Sequence, residues 1–166
     1  MGDRYDSLQP PNIIAAIKSM PRRWTDALYV APPKNIEDFF TVDGPDGVSA
    51  AEDAGATIAL VTILQDAVRT TSYNEPEALG SEVMSAMANT GSGSWPASSV
   101  DALEQIEALM EAFASRLEAL TTADWGKSAR TPDGTATLTD VARGAVRVTA
   151  DRLARAERTI LSLIHI

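Results

Sequence analysis

A chain of 166 residues, 45% of them apolar, is long enough to bury a core and too hydrophobic to stay disordered. Its 23 carboxylates against 14 lysines and arginines leave a net charge of −9, which argues against the basic surface that nucleic acid or an anionic membrane requires. There is no cysteine, hence no disulfide, thiolate nucleophile or Cys-ligated zinc. The polar start Met1 to Asp6 and the lack of any apolar run near ~20 residues complete the expectation of a cytoplasmic protein with no nucleic-acid and no membrane partner.

Residues 1–11 read as a polar lead-in, held extended by Pro10 and Pro11. Asn12 is placed to cap a first helix whose apolar face is Ile13, Ile14, Ile17, Met20, Trp24, Ala27 and Leu28. Pro21 falls inside that pattern and predicts a kink or a division. Val30 to Gly47 is a connection broken by Pro32-Pro33, Asp43-Gly44-Pro45 and Asp46-Gly47, with Phe39 and Phe40 pinning it to a core.

Ser49 and Glu52 have capping-box spacing and open a second helix. Ala51, Ala54, Ile58, Val61, Ile63 and Leu64 supply its apolar surface, and it is expected to end near Thr70. A weaker helical pattern follows from Asn74, through Leu79, Val83, Met84 and Met87. The tract Asn89 to Pro96 reads as a linker, because it lacks both the Gly-Lys-Ser/Thr and the preceding strand of a phosphate loop.

Ser98 or Ser99 caps the third long helix, which runs to about Leu120 on a stripe of Leu103, Ile106, Leu109, Met110, Phe113 and Leu117. Glu104, Glu107, Glu111 and Glu118 lie largely on the other side, with Arg116 among them, and read as a solvated face, a catalytic carboxylate pair being the alternative. No Glu-x-x-His occurs, so the di-iron bundle pattern is absent. Thr121 to Trp125 leaves the helix, and residues 126–136 read as an irregular link with a turn at Pro132-Asp133-Gly134. Thr137 and Asp140 form a second capping box. The last helix carries Leu138, Val141, Ala145, Val148, Ala156 and Ile160 in one stripe, with Arg152 lying in it.

These segments predict an all-α fold: an up-and-down four-helix bundle over residues 12–161, with one additional short helix, long structured loops and no strands. Residues 162–166 resemble translated adapter sequence and are set apart as a tail that the native protein need not share. A lone His165 within it can build neither a metal site nor a triad.

Four features in order resemble the DinB-like four-helix bundle superfamily, which includes mycothiol- and bacillithiol-dependent transferases and maleylpyruvate isomerases. They are Met20-Pro-Arg-Arg-Trp24, Asp46-Gly-Val-Ser-Ala-Ala-Glu52, Leu120-Thr-Thr-Ala-Asp-Trp125 and Thr137-Leu-Thr-Asp140, together spanning most of residues 12–160. Metal-dependent members use three histidines, and the resemblance maps those positions onto Gly55, Val148 and Arg152. None of the three can ligate a divalent metal, so the expectation is a member without cofactor or metal.

Two functions follow from that resemblance. One is a binding or interaction module in which Gly55, Val148 and Arg152 line the old site and Arg152 holds a small anionic ligand. The other is a thiol-dependent transferase or isomerase whose metal is lost or relocated, a reading that rests on fold-level analogy. For Arg152 itself, an ion pair with Glu52 or Asp151, or snorkelling to solvent, is the plainer expectation. The resemblance also implies a homodimer through helix faces.

Overall fold

The computed structural model describes residues 5–72, 96, 98–131 and 134–164. The weak helix expected from Asn74 and the tract 89–95 lie outside them. The chain is mostly helical.

Helix α1 spans Pro10–Leu28, capped at Gln9. The two prolines are therefore its first turn and not an extended lead-in, and Asn12 is inside the helix. The reason is that the first-turn N–H groups have no intrahelical acceptor, so proline loses nothing there and its fixed φ suits the helix. Pro21 does not divide α1. It removes one backbone donor, but Ile13, Ile17, Met20 and Trp24 are buried on one face on both sides of it, and the helix continues through.

A 3₁₀ turn at Pro33–Asn35 leads into the short helix α2, Ile36–Phe40. Phe40 is buried, so the connection is pinned as its aromatics suggested. Helix α3 spans Ala50–Ser72, and the Ser49 hydroxyl accepts from the Glu52 N–H at 3.1 Å. Helix α4 spans Ser99–Glu118 with Ser98 as its cap, accepting from the Asp101 N–H at 3.0 Å.

Thr121 and Asp124 form a capping box for α5, Thr122–Trp125. A 2.9 Å ion pair with Lys127 and the Thr121 N–H hold the Asp124 carboxyl below its ordinary range. Strands β1 (Ser128–Thr131) and β2 (Gly134–Thr137) pair antiparallel, with Ser128 opposite Thr137 and Thr131 opposite Gly134. This hairpin replaces the irregular link expected at 126–136. The same turn residues serve both readings, and eight residues without an apolar face give too little periodicity to separate them.

Helix α6, Leu138–Ile164, is opened by the Thr137–Asp140 box, whose two bonds are each 3.1 Å. It carries Ser162, Leu163 and Ile164 in its last turn, so those three continue the helix that the sequence closes near Ile160.

The four long helices contact one another in a closed ring, α1 against α4, α4 against α3, α3 against α6 and α6 against α1. Their directions follow from paired ends. Arg143 near the start of α6 donates to the Leu8 carbonyl just before α1 at 2.7 Å, so these two run parallel. Arg155 in the second half of α6 meets Asp53 in the first turn of α3, which makes that pair antiparallel. Tyr29, just past the end of α1, shares a groove with Val100 at the start of α4, while Lys18 at mid-α1 pairs with Glu118 at the end of α4, so these two are again antiparallel. Helices α3 and α4 consequently start at the same end, and Gln65 donates to the Leu109 carbonyl between them at 2.9 Å. The order is up-down-down-up, which corrects the simple alternation expected from the sequence. Alternation assumes that each link is a short turn, and the 26 residues between Ser72 and Ser99 are long enough to return the chain to its starting end.

Candidate functional site

The seam between α3 and α6 holds the charged groups of the interior. Asp53 falls on the buried side of α3, in step with Ala50, Ala54, Thr57 and Leu60, and is fully buried. Ordinary helical periodicity thus puts a carboxylate where the neighbouring turns put methyl groups. Its partner is Arg155, whose Nε lies 3.1 Å from both carboxylate oxygens and whose second guanidinium nitrogen lies 2.5 Å from Oδ1. This is a fork-on-fork pair, the geometry in which a guanidinium offsets most of a carboxylate's lost hydration. The hydrogen bonds that Arg155 donates to the Asp53 carboxylate hold its guanidinium above its usual range.

One turn earlier, Arg152 is 4% exposed and donates to the Ala56 carbonyl at 3.1 Å. Burial pulls its ionisation downward, and the neighbouring Asp53 charge counters that pull. It does not snorkel. The acid beside it is Asp53, one residue from the Glu52 that the sequence offered.

The structure therefore brings Arg152 against the turn of α3 that carries Gly55, which is itself buried. Val148 lies one turn before Arg152 on α6, half-buried and packed against the core. As a donor set the three do not fit a metal: one lacks a side chain, one is a hydrocarbon and one is a cation. Among the described residues, no three His, Cys, Asp or Glu side chains gather as metal ligands. Nearby hydroxyls are committed to backbone carbonyls, Thr57 to Asp53 at 2.8 Å and Thr149 to Ala145 at 2.7 Å.

Sequence reasoning found Arg152 but missed Asp53 and Arg155. The one available signal was the place of Asp53 in step with Ala50, Ala54 and Thr57, which marks a buried carboxylate but not its partner. A carboxylate on the apolar stripe of one helix requires a cation on the stripe it faces.

A second feature lies on the outside of the ring. Helices α1 and α4 enclose an open groove of about 1000 Å³. The Lys18–Glu118 pair, at 2.5 Å, closes one end. Tyr29 and Val100 stand at the other, each more than half exposed. No family model, curated protein or solved structure matches this chain.

Proposed function

We propose that the chain is a metal-free DinB-like four-helix bundle that works in the cytoplasm as an interaction module and not as an enzyme. The single observation behind this reading is the buried Arg152 guanidinium, bonded to the Ala56 carbonyl beside the Asp53–Arg155 pair. In the superfamily reading, the position that would carry a metal ligand carries a side chain spent on joining α3 to α6. The seam then serves the fold, and recognition is left to the outer surface.

Elemental analysis of the purified protein is expected to find no stoichiometric zinc or nickel. Stoichiometric metal would overturn the proposal. The seam also sets the Arg152 and Arg155 guanidinium groups close enough to oppose each other's charge, and a small anion that relieved this repulsion is the alternative occupant. Such an anion would have to displace Ala56 from Arg152. Binding of inorganic phosphate or a dicarboxylate by the wild type, and its loss in Arg152→Ala, would establish that branch by titration calorimetry. Equal binding by both proteins would remove Arg152 from any ligand site.

A further inference from the structure

We infer that the groove between α1 and α4 docks a basic amphipathic helix of a partner protein. This rests on the interaction-module reading and names the partner's chemistry.

The groove wall formed by α4 carries Glu104, Glu107 and Glu111, spaced three and four residues apart. Among the described residues none of the three has an ion-pair or hydrogen-bond partner. The cations on the facing wall are already engaged: Lys18 with Glu118, and Arg22 with Asp26 at 4.0 Å. A row of three uncompensated carboxylates therefore runs beside an apolar strip formed by Leu103, Val100 and Tyr29. Tyr29 and Val100 are 54% and 55% exposed, and both face this groove. Clustered exposed apolar side chains beside unpaired charge are what a docking surface needs, whereas scattered ones mean nothing.

The spacing selects the occupant's conformation. Steps of three and four residues along a helix rise by about 4.5 and 6 Å, so a partner helix with Lys or Arg at i, i+3 and i+7 matches the acidic row. An extended strand repeats on one face every ~6.8 Å and falls out of register. From Val100 to Glu118 the groove spans roughly 27 Å, room for about 18 helical residues. The occupant's charge excludes the other candidates. A second copy would bring an equal acidic row and a net charge of −9, and an anionic lipid surface would be repelled for the same reason.

The probe is a fluorescent Lys/Leu helical peptide of about 18 residues, titrated against the full chain and read by anisotropy. Saturable binding is expected, weakened roughly tenfold or more by Glu107→Lys with Glu111→Lys, or by about 0.5 M salt. A peptide of the same composition with its order scrambled should bind at least about tenfold more weakly. Both substitutions are at exposed positions, so the circular dichroism melt should be unchanged and loss of fold cannot imitate loss of binding. Equal binding of the scrambled peptide, or equal binding by the charge-reversed protein, overturns the inference. So does a wild-type dimer in sedimentation that the charge reversal dissociates, or binding of phosphatidylserine vesicles in place of the peptide. A metal-free protein that ignores the peptide loses this inference alone. A metal-loaded protein that binds it loses the functional reading alone.

Discussion

Asp53 is the residue on which the interior electrostatics turn, because it is fully buried while Arg155 is 22% exposed at its side chain. The two halves of the pair should therefore respond unequally to truncation. Arg155→Ala leaves the buried carboxylate without its bidentate partner, beside Arg152, and should cost about 2–3 kcal/mol in urea unfolding. Asp53→Ala leaves a guanidinium that can turn toward water, and should cost less. The double variant should be well short of the sum of the two, and strictly additive costs would show that the pair contributes no coupling. None of this pairing is visible in local sequence. The stripe of α6 takes in position 152, whereas the apolar positions read for α3 leave out Asp53, and periodicity carries no record of which turn of one helix faces which turn of another.

The elements that were legible are those fixed by their own neighbours. Ser49, Ser98, Thr137 and Asp140 cap as their spacing implies, because a cap involves residues only two or three apart. The elements that were not legible depend on distant contacts. Glu37 of α2 reaches the start of α4, with both carboxylate oxygens 3.1 Å from the Ser99 N–H and the Ser99 hydroxyl donating as well. An anion at a helix N-terminus offsets the unpaired N–H groups there. Glu37→Ala should lower stability by about 1 kcal/mol, with Glu37→Gln between it and the wild type. A difference between Gln and Glu that survives high salt would argue against the charge–dipole part. The same kind of distant tie holds Gly44. A Cβ there would sit 2.8 Å from the Thr159 side chain on α6, so the loop after α2 can lie on the last helix only because residue 44 has no side chain.

At the scale of the whole molecule, the buried residues of α6 run from Leu138 through Ile160, and those of α1 from Ile13 to Leu28. Amide exchange should be slowest there and fastest in the hairpin, where Ser128, Gly134 and Thr135 are exposed. Protection of the hairpin equal to that of α6 would contradict the packing. The ring has one more consequence. Each of its four contacts joins a helix from before residue 73 to a helix from after residue 97, so α1 and α3 stand diagonally, as do α4 and α6. A ribosome that has released only α1 and α3 has made two helices with almost nothing to bury each other's apolar faces. Their folding must wait for the second half of the chain. Two fragments divided between Ser72 and Ser98 should each stay largely unstructured alone and assemble when mixed, which would make the junction a natural place to split the protein into a complementing pair.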